Sequence, residues 1–157
     1  MGQFVSGDYF AGLGVSAIAG RTLTDADDQA SAPAVGVISY RFWERRFYRD
    51  PSVIGKTIQV NRVLVTLIGI TPPGFFGETL RGDPPDLWIP LQHEPMIAGE
   101  TSLLRAPFSA WLRVIGRLRP GATADGIGPR MTGILRQWMQ HDAGYPSNWM
   151  PDIIQNL

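Results

Sequence analysis

The alternation of apolar and polar positions in the first 91 residues predicts a mixed set of short strands and helices. Residues Ala34 to Ile38 form a continuous apolar run, which is typical of a buried strand. The run leads directly into Ser39, a favourable N-cap residue, so a helix is predicted over Tyr40 to Tyr48. Two further runs rich in β-forming residues, Lys56 to Val60 and Val63 to Ile70, predict a β-hairpin.

Weaker signals complete this part of the chain. Gln3 to Ser6 favours a short strand, and a brief helix is expected from Tyr9 onward. Leu87 to Pro90 predicts another short strand, with Trp88 facing inward. The pattern of Gln92 to Pro107 is mixed and indicates a connecting helix or loop.

The last third of the chain has the pattern of a strand, a helix and a second strand. Apolar and basic residues alternate from Ala110 to Leu118, which is the period of a strand with unlike faces. A helix is predicted after Thr123 and must either kink at Pro129 or begin there, because an interior proline costs on the order of 3 kcal/mol. An extended segment is expected at Trp149 to Ile154. One apolar stripe of that helix comprises Ile127, Met131, Ile134, Leu135, Trp138 and Met139. Because strands and helices do not alternate regularly, the chain is predicted to have an α+β fold.

Composition narrows the classes of function. Of the 157 residues 44% are apolar and 18% charged, which is typical of a globular protein. Lys plus Arg equals Asp plus Glu at 14 each, so no net charge attracts nucleic acid or an anionic membrane unless a local patch does. The absence of cysteine excludes disulfides and thiolate metal sites. No apolar stretch approaches the roughly 20 residues of a spanning helix.

Candidate chemistry is sparse. His93 and His141 lack acidic or histidine neighbours at helical spacing, so His93 is expected in a surface loop and His141 at a helix C-terminus. Asp25, Asp27 and Asp28 are close together but lack the ligand series of a calcium loop, which favours a solvated helix cap. The sequence thus predicts no catalytic, cofactor or metal site, and a metal-dependent enzyme built on Asp25, Asp28 and His93 is the minor alternative.

Two groups of side chains are candidates for binding. The helix after Ser39 combines arginines with aromatic residues, as nucleic-acid surfaces do, but the aromatics at Phe42, Trp43 and Phe47 fit its buried side, so no nucleic-acid partner is expected. Three apolar residues in predicted loops could contact a partner protein, although packing over the core explains them nearly as well. They are Phe75, Phe76 and Met96.

Seven segments, in order, resemble the MacB-like periplasmic core domain of ABC transporter permeases, especially the duplicated orphan permeases abundant in acidobacteria. The resemblance covers nearly the whole chain. Its segments are Val5-Ser6-Gly7-Asp8-Tyr9-Phe10 with Leu13-Gly14-Val15, Gly20-Arg21-Thr22-Leu23, Val37-Ile38-Ser39-Tyr40 with Phe42-Trp43 and Arg46-Phe47, Asp50 to Ile58, Val65 to Ile70 with Pro72-Pro73-Gly74-Phe75, Leu87 to Leu91, and Arg117 to Ala122.

The resemblance implies an extracytoplasmic, non-catalytic domain between two transmembrane helices of a permease, on the periplasmic side of the inner membrane. Such domains comprise a β-α-β "porter" lobe with an inserted "sabre" lobe. Residues 1–91 would then be a sabre-like mixed lobe, 92–107 a connector and 108–157 a partial porter-like β-α-β unit. The implied role is to relay ATP-driven motion to an adaptor protein or a cargo, as in efflux.

The partners that follow from this reading are the transmembrane segments and ATPase subunit of the parent transporter, and a periplasmic adaptor protein. In the family a further porter strand and helix precede the segment at Val5, so this chain is expected to be a module of a larger protein. An incomplete porter lobe would leave an open sheet edge, and residues Trp111 to Ile154 are therefore expected to support a homodimer of the isolated chain. A stand-alone binding module from a truncated permease gene is the alternative.

Overall fold

The structure is a computed structural model, and it describes residues 1–80, 82–104, 106, 109 and 111–141. The chain divides into two compact units, Met1–Trp111 and Leu112–Leu157. The described residues of the first unit form a mixed sheet with short helices on it. Its strands are β1 (Gly2–Val5), β2 (Ala19–Gly20), β3 (Val35–Ile38), β4 (Thr57–Val60), β5 (Val63–Ile70) and β6 (Leu87–Pro90). Its α-helices are α1 (Tyr9–Leu13), α2 (Tyr40–Phe47) and α3 (Glu94–Ala98).

The strand order of the sheet is β1-β6-β3-β5-β2, with β4 also paired to β5. β1 runs parallel to β6 and β3 runs parallel to β5, whereas β3 and β6 are antiparallel. One edge of β5 pairs with β4 over residues 63–66 and with β2 over residues 69–70, both antiparallel. The predicted α+β fold is confirmed as this mixed sheet with helices.

The predicted hairpin and the capped helix are both present. β4 and β5 are joined by a tight turn in which Asn61 adopts a left-handed conformation with φ +54°, and asparagine tolerates that conformation better than most residues. α2 follows its cap: the Ser39 hydroxyl oxygen accepts a hydrogen bond from the Phe42 N–H at 3.0 Å. Phe42, Trp43 and Phe47 pack against the core, as their spacing predicted.

Alternation along the strands separates the core into two clusters, one for each face of the sheet. The first contains Ile38, Val53, Val65, Leu67, Ile70, Leu87, Ile89 and Ile97, and α2 packs against it. The second contains Val5, Phe10, Leu23, Val35, Val37 and Trp88. β3 is buried at every residue because both clusters and two neighbouring strands enclose it.

β2 was not predicted. The backbone around Ala19–Gly20 reaches β5: Ile18 N–H donates to the Ile70 carbonyl at 2.9 Å and Arg21 N–H to the Ile68 carbonyl at 2.8 Å. Two glycines allow this approach, since a Cβ on Gly69 would overlap the Arg21 carbonyl group. Gly20 also has a positive φ of +68°.

The second unit corrects one expectation and excludes one of two alternatives for its helix. The strand predicted at Ala110 to Leu118 is not formed over the described residues 111–118. No described strand pairs with this segment, and an alternating sequence pattern alone does not provide hydrogen-bond partners for its backbone N–H and C=O groups. Helix α4 spans Ala124–His141 with Pro129 in its interior, so the helix does not begin at Pro129. The segment predicted at Trp149 to Ile154 lies outside the described residues.

Within the described residues, no helix combines the length and the apolar character needed to cross a membrane.

Candidate partner-contact site

A shallow groove lies where the parallel strands β3 and β5 end, and it holds two of the three residues predicted to contact a partner. Ser39 follows β3 and begins one wall, and the loop after β5 forms the other wall. The groove has a volume of about 240 Å³. Its lining residues are Ser39, Tyr40, Arg41, Glu44, Pro73, Gly74, Phe75, Phe76 and Pro85.

The two phenylalanines of the groove have different roles. The Phe75 ring is half-buried and packs on Phe10 and Trp88, with ring centroids 5.8 and 5.3 Å apart. Phe76 is 39% exposed. A turn with φ +87° at Gly74, closed by a hydrogen bond from the Phe75 N–H to the Pro72 carbonyl at 3.2 Å, sets their positions. This packing holds Phe75 in place, so Phe75 anchors the loop. Phe76 remains available for contact.

Charged groups fix the opposite wall. The Arg41 guanidinium donates to Asp86 Oδ1 and to the Pro84 carbonyl, both at 3.0 Å, and Arg45 donates to Asp86 Oδ2 at 3.1 Å. Burial of Asp86 opposes its ionisation, but hydrogen bonds from Arg41 and from the N-terminal amine outweigh burial, and the pKa of the carboxyl is lowered. Arg41 is therefore held in one orientation beside the groove.

Met96 is not part of this groove. It lies on α3, where it is 51% exposed, and it is absent from the groove lining. The structure thus brings Phe75 and Phe76 together and leaves Met96 as a separate exposed apolar residue.

Two of the three residues of the metal-enzyme alternative, Asp28 and His93, have structural partners. Asp28 accepts hydrogen bonds from the backbone N–H groups of Gly7 at 3.1 Å and Gln92 at 2.8 Å. His93 was expected in a surface loop, but it is only 1% exposed, and its Nε2 lies 2.9 Å from the Ala32 carbonyl oxygen. Among the described residues no three His, Asp or Glu side chains come close enough to hold a metal.

Sequence reasoning missed most of the groove lining. Tyr40, Arg41 and Glu44 were predicted only as part of the helix, and Pro85 was not selected. The available signal was the apolar run of β3 followed at once by a helix cap, because ligand crevices often form at the carboxyl ends of parallel strands. This signal can be used only if β3 and β5 are known to be parallel neighbours. The predicted hairpin and the separately predicted strand before Ser39 do not show that pairing.

Comparison with known protein families identifies the family of this chain. The chain belongs to the family of MacB-like periplasmic core domains, whose sequence profile matches residues 1–134. The resemblance drawn from the seven segments is confirmed. Membership in this family implies an extracytoplasmic location.

Two solved structures are similar to the chain. The periplasmic region of MacB from Actinobacillus actinomycetemcomitans is 18% identical with a TM-score of 0.61, over 99% of this chain and 65% of that one. The extracellular domain of the noncanonic ABC-type transporter YknZ from Gram-positive bacteria is 20% identical with a TM-score of 0.48, over 64% of this chain and 48% of that one. The chain therefore spans less than two thirds of either domain, and the first likeness shows a shared fold. A search of curated proteins finds no match.

Proposed function

We propose that this chain is the extracytoplasmic domain of an ABC transporter permease on the periplasmic side of the inner membrane. In this role it couples motion of the transmembrane segments, driven by the ATPase subunit, to a periplasmic adaptor protein or a cargo during efflux. The observation that supports a partner contact is the position of the exposed Phe76 ring, which lies beside a groove with both walls held in place by side-chain contacts. We also propose the lobes expected from the sequence: sabre-like over 1–91, a connector over 92–107 and partial porter-like over 108–157.

The groove suits a protein partner better than a small molecule. Its volume of about 240 Å³ is below the roughly 300–1,000 Å³ of most small-molecule pockets. Its lining is rich in aromatic and proline side chains, with Arg41 and Glu44 at the polar wall. Aromatic anchors within a polar surround are the usual energetic centre of protein interfaces. One apolar side chain of a partner would fill the groove against Phe76.

The fixed support of Phe76 favours a role in transmitting motion. Phe75 is held by Phe10 and Trp88 of the second core cluster, and Arg41 by the buried Asp86. A contact residue held by such packing moves with the sheet, because close packing around it allows little independent motion. Met96 is proposed as a second, separate contact on α3.

Site-specific photo-crosslinking in the parent permease tests the contact. A photoreactive phenylalanine at position 76 is expected to crosslink to the adaptor protein, whereas the same group at Leu64, which is 65% exposed on β5, is not. Phe76→Ala is expected to weaken adaptor binding about tenfold and Leu64→Ala to leave it unchanged. Equal crosslinking at both positions, or unchanged binding by Phe76→Ala, would refute the groove as the contact.

The coding sequence on either side of this chain tests the permease assignment separately. Transmembrane helices encoded on both sides and an ATPase gene nearby are expected. A complete reading frame without them would instead favour a stand-alone binding module.

A further inference from the structure

The loop that carries Phe76 is attached to the first unit at a second point, beyond the Phe75 anchor. Glu78 Oε2 accepts two hydrogen bonds, one from the Tyr9 hydroxyl at 2.8 Å and one from the Gln3 side-chain amide at 3.1 Å. Tyr9 lies on α1 and Gln3 on β1, and they precede Glu78 by 69 and 75 residues in sequence. We call these three residues the Glu78 clamp.

The Glu78 clamp and the Phe75 anchor use neighbouring residues of the same two supports. On α1, Tyr9 belongs to the clamp, and the next residue, Phe10, packs on Phe75. On the sheet, Gln3 and Trp88 are paired in the register of β1 and β6, so their side chains leave the same face. Trp88 packs on Phe75, and Gln3 belongs to the clamp. Each support therefore holds the loop twice, once on either side of the exposed phenylalanine.

Both donors of the Glu78 clamp are suited to hold a carboxylate. The Tyr9 ring packs edge-on against Phe10 and Phe75, with centroids 5.2 and 6.5 Å apart. Burial, followed by the hydrogen bond to Glu78, raises the pKa of the Tyr9 hydroxyl, so this group stays protonated and remains a donor. A carboxylate only accepts hydrogen bonds, so the Gln3 amide turns its N–H group toward Glu78.

The backbone between the two attachments is short and close to the clamp. Two residues, Phe76 and Gly77, separate Phe75 from Glu78. Gly77 has a positive φ of +97°, and a Cβ on it would lie 3.6 Å from the Tyr9 hydroxyl oxygen. The Phe76 ring is 39% exposed on this segment. An exposed contact residue is thus held between two fixed points that are only three residues apart.

We propose that the Glu78 clamp positions Phe76 for its partner, with Tyr9 and Gln3 as positioning residues that do not touch the partner themselves. This inference rests on the partner contact proposed above for Phe76. A side chain that is already ordered before binding loses less conformational entropy when the complex forms. The clamp therefore strengthens the contact by preorganisation, and its loss frees Phe76 while the core cluster of Phe10 and Trp88 keeps its packing.

Fluorine NMR tests the clamp in the full 157-residue chain without any partner, using trifluoromethylphenylalanine at position 76. The wild-type background should give one broad resonance, shifted from that of the free amino acid. Tyr9→Phe and Gln3→Leu should each narrow this resonance and move it toward the free value. Tyr48→Phe is the matched control, since it removes the hydroxyl of a tyrosine that is 89% exposed, and it should change nothing. An unchanged resonance in the Tyr9→Phe/Gln3→Leu double variant would overturn the proposal.

Near-ultraviolet circular dichroism separates positioning from folding. The signal of Trp88 in its aromatic cluster should stay native in Tyr9→Phe and Gln3→Leu, because both substitutions leave the Phe10, Phe75 and Trp88 rings in place. If position 76 becomes mobile only when this signal is also lost, the clamp is part of the folding core and the positioning role is wrong.

Photo-crosslinking in the parent permease distinguishes the clamp from the contact. With photoreactive phenylalanine at position 76, Tyr9→Phe should lower the yield of the adaptor crosslink about two- to tenfold, as expected for one hydrogen bond, and Tyr48→Phe should not. An unchanged yield in Tyr9→Phe would refute the positioning role and leave the contact standing. Absence of crosslinking at position 76 in the wild-type background would refute the contact itself, and the positioning role with it.

Discussion

Asp27 shows how an acidic residue in a polar loop becomes part of the folded structure. Its carboxylate accepts hydrogen bonds from two Arg21 nitrogens at 2.6 and 2.7 Å, and from the Thr24 hydroxyl at 2.7 Å and N–H at 2.9 Å. The Arg21 hydrogen bonds, followed by those of Thr24, lower the pKa of Asp27 to about 2 against the opposing effect of burial. The sequence predicted only a solvated cap here, because the burial of Asp27 depends on contacts that spacing does not show.

Asp27→Asn is expected to lower the free energy of unfolding by about 1–2 kcal/mol at pH 7, allowing for solvent screening of the half-exposed Arg21. Because the folded pKa lies below the unfolded value of 3.8, the stabilisation is complete above about pH 5 and is lost as pH falls toward 2. Urea denaturation between pH 7 and pH 2 measures this. The difference in the free energy of unfolding between wild type and variant should become smaller as pH falls. Asp25→Asn, which changes an exposed neighbour, is the control and should change stability by less than about 0.5 kcal/mol. A difference that is constant with pH would contradict the assignment.

At the scale of elements, the contact between β2 and β5 depends on glycine. Gly69→Ala is expected to destabilise the chain by about 2–4 kcal/mol, because the added methyl group would overlap the Arg21 backbone and separate the two strands. Thermal unfolding followed by circular dichroism checks this. Gly12→Ala on α1 is the matched control: a Cβ there meets nothing within 4 Å, so stability should be unchanged or raised by up to about 1 kcal/mol.

The cap of α2 provides a second test at this scale. Ser39→Ala removes the acceptor of the Phe42 N–H and is expected to cost about 1 kcal/mol in the free energy of unfolding. Ser39→Thr keeps the hydroxyl and should retain most of the stability. Equal losses in the two variants, measured by urea denaturation, would indicate that packing at this buried site matters more than the hydrogen bond.

Local sequence patterns predicted the helices and strands that depend on interactions between residues close in sequence. The hairpin, the strand before Ser39, the capped helix and the inward Trp88 all follow from period, turn residues and capping chemistry. β2 escaped prediction because it exists only through its pairing with β5. The strand expected after Ala110 fails for the converse reason, since an alternating pattern without a paired neighbour does not make a strand.

The same limit applies to the candidate site. Phe75 and Phe76 could be selected as loop aromatics, but only the fold shows that Phe75 is held by Phe10 and Trp88 while Phe76 remains exposed. The buried His93 illustrates the opposite error, because its environment is set by Ala32, which is 61 residues away in sequence.

At the scale of the whole molecule, the two core clusters found among the described residues both lie in the first unit, so this unit should fold without the second. A fragment of residues 1–111 is expected to unfold cooperatively, with a free energy of unfolding within about 1 kcal/mol of that of the full chain. The near-ultraviolet circular dichroism of Trp88 in its aromatic cluster reports the native packing. Loss of this signal in the fragment would show that the second unit is required.

The parallel pairing of β1 with β6 has a mechanical consequence for a domain proposed to relay motion. Gly2 to Val5 pair in register with Leu87 to Pro90. A pull on β1 along its own axis loads all the hydrogen bonds of this ladder in shear, so they must break together, whereas a pull across the sheet would peel them one at a time. Because β3 and β5 lie beyond β6 in the same sheet, a shear load on β1 passes directly to the strands that end at the groove.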